Sequence, residues 1–261
     1  MNSGLYTAYS GLRARSDALE ILANNLANLN TTGFKEEKAF FTLLDQSLNA
    51  PGQPETINTA INRSVLAHKM LNPAEGSLSF TNRDLDVAIV GNGFLVVETP
   101  QGIRYTRNGN LQLNAQAILT TSEGFPVLGQ SGRPVQLGPG KIHINEDGQI
   151  SVEGAPLNWP KKEGEVPPEN GPVESLKIVT FDDLSVLDKE GSSLFRAREG
   201  RQPEMSSSAV LRSGYLEESN VNPVSSIVQM VEILRHFEAL QKSVNLLMND
   251  INSKAIEKLG R

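Results

Sequence analysis

The 261-residue sequence contains no cysteine. Disulfide bridges, thiolate metal sites and thiol nucleophiles are therefore excluded. Aromatic residues are scarce at 5%, and the single tryptophan, Trp159, lies in a proline-rich loop. A tryptophan in such a loop more often packs onto its own domain than binds a ligand. No run approaches the ~18–20 apolar residues of a membrane-spanning helix, so no membrane insertion is expected. The N-terminus lacks the basic start, apolar stretch and small-residue cleavage site of a secretory signal. Asn2, Ser3, Tyr6 and Tyr9 interrupt it, and it reads as part of a mature helix. Positive charge is not concentrated either. The net charge is −6, and the densest basic pair, Lys161-Lys162, sits in the same loop as Trp159. A nucleic-acid or anionic-membrane partner is not expected.

What is present begins with the two ends. Leu5, Leu12, Leu19 and Leu26 recur every seventh residue, with Ala8, Leu22 and Leu29 on the intervening positions. Near the C-terminus Met230, Phe237, Val244 and Ile251 recur in the same way, joined by Ile233, Leu240 and Leu247. A seven-residue apolar repeat makes a seam that faces another helix. Two such seams at opposite termini predict a chain that closes on itself, or assembles with copies of itself, through its ends. The first helix is expected over 3–30, with Gly33 stopping it in a left-handed conformation and Phe34 making an apolar contact just beyond. From Ile21 to Thr32 this segment carries no charge, and its non-seam positions hold Asn24, Asn25, Asn28, Asn30 and alanines. Solvated helix faces normally carry Glu and Lys, so a charge-free Asn/Ala face predicts contact with protein on several sides. The last helix is announced by Asn222 as a cap and Pro223 at the first position, and runs to about Lys258.

Between the ends the pattern changes. Lys38 to Leu48 reads as either a short helix or an extended arm, and Ala50 to Thr59 as loop. From Leu85 to Val152 the period switches to two. Short apolar runs at Val87–Ile89, Phe94–Val97, Ile103–Thr106, Leu111–Leu113, Ile118–Thr121, Val127-Leu128, Ile142–Ile144 and Ile150–Val152 are separated by Gly, Asn, Asp and Pro. Further strands are expected at Leu176–Phe181, Leu194–Ala197 and Val210–Leu216. Asn108-Gly109 reads as a two-residue hairpin turn with both residues at positive φ. Many short strands at regular spacing predict an antiparallel β domain. The expected class is α+β. Helical termini (1–35 and 222–261) enclose a connecting arm (36–83) and a β-rich domain (84–221).

A search for chemistry finds none. His68, His143 and His236 are dispersed, and none is read as having a second histidine or carboxylate at metal-ligand spacing. Asp84 and Asp86 flank Leu85 and would suit a catalytic carboxylate pair, but turn or edge charges are far commoner. Gly91-Asn92-Gly93 lacks the third glycine and following helix of a dinucleotide loop. Gly138-Pro139-Gly140-Lys141 lacks the first glycine and the hydroxyl residue of a phosphate loop. No catalytic residue, cofactor or metal is expected.

The same residues carry a family resemblance. Ala23-Asn24-Asn25-Leu26-Ala27-Asn28 followed by Thr32-Gly33-Phe34-Lys35 resembles the N-terminal signature of the bacterial flagellar rod, hook and hook-associated axial proteins. Leu216-Glu217-Glu218-Ser219-Asn220-Val221-Asn222 and the final helix resemble the C-terminal signature. Asp84-Leu85-Asp86-Val87-Ala88-Ile89, Gly93-Phe94 and Tyr105-Thr106-Arg107-Asn108-Gly109-Asn110 are similar to the longer rod proteins and the hook. Length narrows this to the rod. Tyr6-Thr7-Ala8, Leu78-Ser79-Phe80-Thr81, Gln101-Gly102 and Arg235-His236-Phe237-Glu238 look more like the proximal than the distal branch.

The resemblance implies that the terminal helices pair into an inner coiled-coil layer with the β domain outside, and that subunits stack helically into a hollow rod. It implies partners in itself and other rod subunits. It also implies passage through the flagellar type III export apparatus without signal cleavage, and a periplasmic location in the basal body. Two other classes compete: an extracellular β-sandwich enzyme with helical dimerisation ends, and a polymerising adhesin or fibre-tip protein.

Overall fold

The computed structural model describes residues 2–46, 62–138, 140–153, 172–198, 200–206 and 208–259. Trp159, Lys161-Lys162 and the Ala50–Thr59 loop lie outside them. Two helices, α1 (Asn2–Ala27) and α2 (Pro223–Leu259), bracket the strands. In chain order the strands are β1 (Glu37–Gln46), β2 (Asn62–Leu71), β3 (Leu78–Phe80), β4 (Val87–Val90), β5 (Phe94–Thr99) and β6 (Gly102–Thr106). Then come β7 (Leu111–Leu113), β8 (Leu119–Thr121), β9 (Lys141–Ile144), β10 (Gln149–Glu153), β11 (Pro172–Ser175) and β12 (Ile178–Thr180). The last are β13 (Leu187–Glu190), β14 (Leu194–Ala197), β15 (Glu204–Met205), β16 (Val210–Ser213) and β17 (Tyr215–Glu217). The class is α+β, with an antiparallel β-rich centre.

The chain divides into two units. The first comprises residues 1–27, 37–72 and 222–261: both helices and the β1–β2 hairpin. The second comprises 28–36 and 73–221. The stretch expected as a connecting arm thus splits. Its first half is a hairpin packed with α1, and its second half joins the β-rich unit.

In the first unit, α2 starts as its sequence dictates. The Asn222 side chain accepts from the Ser225 N–H (3.1 Å), and Pro223 opens the helix where a missing N–H costs nothing. α1 ends at Ala27, six residues before Gly33. The chain then turns, with the Thr31 N–H donating to the Asn28 carbonyl (3.2 Å). Gly33 is left-handed (φ +67°) but belongs to this turn rather than to a helix cap. The helices pack on each other, and the Gly11 backbone approaches Leu240. α1 also packs on the hairpin: Arg15 lies over the Phe41 ring (4.6 Å). The Asn25 amide clips the first hairpin residue, donating to the Glu37 carbonyl (2.8 Å) and accepting its N–H (3.1 Å).

In the second unit, a six-stranded antiparallel sheet (β13-β14-β6-β5-β12-β15) is joined by a three-stranded sheet (β11-β10-β9) and the pairs β16–β4, β17–β3 and β7–β8. Val87, Ile89, Leu95, Val97, Leu111, Leu119 and Leu211 are among the side chains of one contiguous core. Asn108-Gly109 is not a hairpin turn; neither residue has positive φ. This segment runs extended between β6 and β7, the Val87 N–H donates to the Gly109 carbonyl (2.9 Å), and a Cβ on Gly109 would strike the Val87 carbonyl. Close approach, not turn geometry, requires the glycine. The expected single strand Val210–Leu216 is cut into β16 and β17 by left-handed Gly214 (φ +79°).

Candidate assembly site

The most highly constrained cluster of polar groups lies in the β-rich unit, where the segment leaving α1 meets the segment leading to α2. The Gly33 N–H donates to the Glu217 carbonyl (2.7 Å), and a Cβ on Gly33 would run into the Arg107 carbonyl. Thr32 Oγ1 donates to Asn108 Oδ1 (2.7 Å). Phe34 is buried, and the Lys189 ammonium lies 3.3 Å from its ring centroid. The Asn220 N–H donates to the Phe34 carbonyl (3.3 Å), and Asn220 Oδ1 accepts the Glu36 N–H (2.7 Å).

At the centre is Glu217, 2% exposed. Its Oε1 accepts from Lys35 Nζ (2.8 Å) and from the Gly76 N–H (2.9 Å), and its Oε2 accepts from Arg107 Nε (2.7 Å). Lys35 also donates to the Ala74 carbonyl (2.8 Å), which takes a second bond from Asn220 Nδ2 (2.7 Å). Arg107 donates its other N–H groups to the carbonyls of Ile89 (2.7 Å), Gly91 (2.9 Å) and Gly93 (3.1 Å). One carboxylate thus ties together four chain segments far apart in sequence.

The electrostatics follow from burial and charge count. Burial alone would push the Glu217 carboxyl up. The Arg107 and Lys35 cations and the Gly76 N–H outweigh that and hold it below the usual carboxylate range. Burial pushes Lys35 down, the Arg107 cation adds to this, and Glu217 offsets only part of it. Two buried cations share one anion, a saturated and rigid arrangement. It is a fastening, not a reactive group.

The other polar groups singled out in the sequence do not converge on a site. Asp84 is exposed while Asp86 is buried beside Arg83 (3.6 Å), so the two carboxylates do not face one site. His236 does have a carboxylate at helical spacing, correcting the reading that it had none. Glu232, four residues earlier, lies 3.9 Å away, but both side chains are exposed. Among the described residues no cluster of three or more His, Cys, Asp or Glu is placed to hold a metal. A shallow groove of about 730 Å³ carries Arg104, Glu190 and Arg196, whose charges are mutually paired.

All the seam residues but Leu29 lie in the first unit. On α1, Leu12, Leu19 and Leu26 are half-buried and Leu22 is buried; Leu29, half-buried, falls in the turn beyond α1 and belongs to the second unit. The fully buried line is Ala14, Ala18, Ile21 and Asn25, rotated by roughly a third of a turn from the heptad line. On α2, Met230, Ile233, Phe237, Leu240 and Val244 are half-buried along one face. The side chains of Leu5, Leu247 and Ile251 lie outside the described residues. Of the motif residues, Asn25 is buried, Asn28 half-buried, and Asn24 and Ala27 exposed. Ser219 Oγ accepts the Val221 N–H (3.4 Å), and Val221 is buried.

Comparison with known proteins bears directly on these segments. The family described as "Flagella basal body rod protein" matches residues 5–35. "Flagellar hook protein FlgE/F/G D1 domain" matches 88–152, and "Flagellar basal body rod FlgEFG protein C-terminal" matches 212–246. The chain is 31% identical to the flagellar basal-body rod protein FlgF of Caulobacter vibrioides, over 100% of this chain and 99% of the relative. It is 34% identical to FlgG of Borreliella burgdorferi, over 95% and 97%. It is 32% identical to FlgF of Rhizobium meliloti, over 100% and 99%. The chain belongs to the flagellar basal-body rod protein family. Its role is that of a structural rod subunit of the FlgF/FlgG kind, and rod proteins of both names recur among its relatives at similar identity.

In this rod protein the family motifs at either end are the chain segments that meet at Glu217. Thr32, Gly33, Phe34, Glu217 and Asn220 come together in this clamp around Glu217, whereas Asn24, Asn25, Ala27 and Asn222 lie in the helical unit. Sequence reasoning did not single out Arg107 and Lys35 as ion partners of Glu217. The available signal was two cations and one anion, each inside a separate motif; 182 residues separate Lys35 from Glu217.

Proposed function

We propose that this chain is a proximal-rod subunit that polymerises helically through α1 and α2 into a hollow, torque-transmitting shaft. The paired helices form a coiled-coil layer along the seams of Leu5, Leu12, Leu19, Leu22, Leu26 and Leu29 with Met230, Ile233, Phe237, Leu240, Val244, Leu247 and Ile251. Export runs through the flagellar type III apparatus without a cleaved signal, and assembly takes place in the periplasm.

The observation carrying this reading is that α2 has two apolar faces. Its seam face is half-buried. A second stripe on another side of the helix, Val224, Ile227, Val228, Val231 and Leu234, is 43–71% exposed. A helix that is apolar on two sides is built for more than one neighbour. The exposed Ala23, Asn24 and Ala27 positions of α1 provide a small, charge-free surface of the same kind. Preference for the proximal branch rests on Tyr6-Thr7-Ala8, Leu78-Ser79-Phe80-Thr81, Gln101-Gly102 and Arg235-His236-Phe237-Glu238.

The test is assembly of purified chain observed by electron microscopy, with Leu26→Asp and Val228→Glu as variants. Wild type is expected to form straight hollow rods. Each variant should abolish them while strand circular dichroism stays intact. Rods of normal appearance from both variants would refute the assembly role of these faces. Localising the protein along isolated basal bodies decides between proximal and distal rod.

A further inference from the structure

The chain passes between the two units four times, at 27/28, 36/37, 72/73 and 221/222. Segments that join units are usually flexible, with few contacts of their own. Here three of the four crossings are tied together on the β-rich side. Glu36 is the last residue before the second crossing, Pro73 and Ala74 are the first after the third, and Asn220 and Val221 are the last before the fourth. The Asn220 carboxamide joins all three. Its Oδ1 accepts the Glu36 N–H (2.7 Å), and its Nδ2 donates to the Ala74 carbonyl (2.7 Å). The Asn220 backbone N–H donates to the Phe34 carbonyl (3.3 Å), and Lys35 Nζ is a second donor to the Ala74 carbonyl (2.8 Å). Two crossings are also stiff covalently. Asn72 and Asn222 each precede a proline, whose ring fixes its own φ and restricts the residue before it to extended conformations. Asn220 is half-buried, and Pro73 and Ala74 are exposed, so this cluster lies at the rim of the unit and not in its core.

We propose that Asn220 is a positioning residue for assembly. It gathers the exits of the β-rich unit into one fixed base, already formed in the free chain, from which the terminal helices start. The proposal rests on the rod-subunit reading and adds to it how the helices are readied for polymerisation. Glu217, Lys35 and Arg107 fasten the buried interior of the clamp, whereas the Asn220 carboxamide binds the residues at which the chain leaves. An amide suits this task because one end of it both accepts and donates, so a single side chain holds an N–H of one segment and a carbonyl of another. The gain is preorganisation. A helix that starts from a fixed point loses less orientational freedom on packing into a polymer than one carried on a loose linker.

The test compares four full-length chains: wild type, Asn220→Ala, Pro73→Gly and Thr99→Val. Asn220→Ala removes both carboxamide bonds, and Pro73→Gly loosens a crossing without removing a hydrogen bond. Thr99→Val is the control: it removes a buried bond to the Gly102 carbonyl (2.8 Å) in the β5–β6 turn, which takes no part in the cluster. Amide exchange at Glu36 is followed on dilute chain, and the concentration at which polymer first sediments gives the assembly threshold. In wild type, Glu36 should exchange slowly at concentrations where nothing sediments. Asn220→Ala should speed that exchange and raise the threshold, each about tenfold, as the loss of one or two hydrogen bonds implies. Pro73→Gly should raise the threshold in the same direction. Thr99→Val should lower the melting temperature and leave the threshold where it is. Fast exchange at Glu36 in the free wild-type chain overturns the fixed base. An unchanged threshold in both Asn220→Ala and Pro73→Gly overturns it too, as does an equal rise in Thr99→Val, which would mark a general effect of stability. Each of these leaves the rod reading standing. Wild type that never sediments overturns the rod reading, and this role with it.

Discussion

Glu217→Gln is the sharpest perturbation of the clamp. The substitution keeps size and shape but removes the anion that Lys35 and Arg107 share, both at least 96% buried as side chains. The glutamine oxygen can still accept from Lys35, but its NH2 group then confronts the Arg107 Nε–H, donor against donor. Removing one partner of a buried pair costs about 3–5 kcal/mol, because the remaining charge is left uncompensated. Here two cations are left. For a unit of this size that corresponds to a fall in melting temperature of about 6–20 °C, at roughly 2–4 °C per kcal/mol. The assay is thermal unfolding of the full chain by circular dichroism in the strand region. Coupling makes the prediction harder to satisfy by accident. Lys35→Met should destabilise wild type, yet in the Glu217→Gln background it removes one of two repelling cations and should be neutral or stabilising. pH supplies a third arm. The Glu217 carboxyl is held low in the fold, so its contribution is complete above the unfolded value near ~4.3 and is lost as pH falls through the folded value. Wild type should therefore lose stability below about pH 4 more steeply than Glu217→Gln. Lys35 gives a slope of the same sign at the other end of the pH range: its lowered value makes stability rise as pH climbs towards the unfolded lysine value near ~10.4. A Glu217→Gln melting temperature within about 2 °C of wild type, or additive effects with Lys35→Met, would refute the account.

Two further changes probe the chain on either side of the clamp. Gly33→Ala forces a side chain into the left-handed region and against the Arg107 carbonyl, so the denaturant midpoint should fall by the equivalent of at least about 1–3 kcal/mol with an unchanged slope; an unshifted midpoint would count against the close packing. Asn222→Ala removes the bond to the Ser225 N–H and should cost the first turn of α2 about 1 kcal/mol, read as faster amide exchange at Ser225 and Ser226 with the β-rich unit unchanged.

Much of the architecture was legible because local rules govern it. The start of α2 follows from Asn222-Pro223, a capping oxygen and a residue without an N–H at the one place neither is a liability. The turns at Gly102 and Gly148 and the strands Phe94–Val97, Ile103–Thr106, Leu111–Leu113 and Leu194–Ala197 follow from period-two patterning between glycines, which have positive φ at both turns. Where local rules allowed two outcomes, long-range packing chose. Asn108-Gly109 has the composition of a hairpin turn, but Val87 crosses it so closely that the glycine is used for contact, and the Asn108 carboxamide oxygen accepts from Thr32 as well as from the Asn110 N–H. The first ten residues of the presumed arm became a strand because α1 offers a covering for one of its faces.

The terminal helices, their apolar lines, the β-rich centre and the family signatures are all readable along the chain, since each depends on residues within a few turns of one another. The clamp is not. Nothing near Lys35 in sequence announces that its partner is Glu217, or that Arg107 shares it. The same holds for the rotation of α1, whose fully buried line runs through Ala14, Ala18, Ile21 and Asn25 rather than along the heptad leucines. Periodicity reports that a helix has apolar faces, but the neighbours that fold against it decide which face is most deeply buried. Here those neighbours are a hairpin as well as a helix.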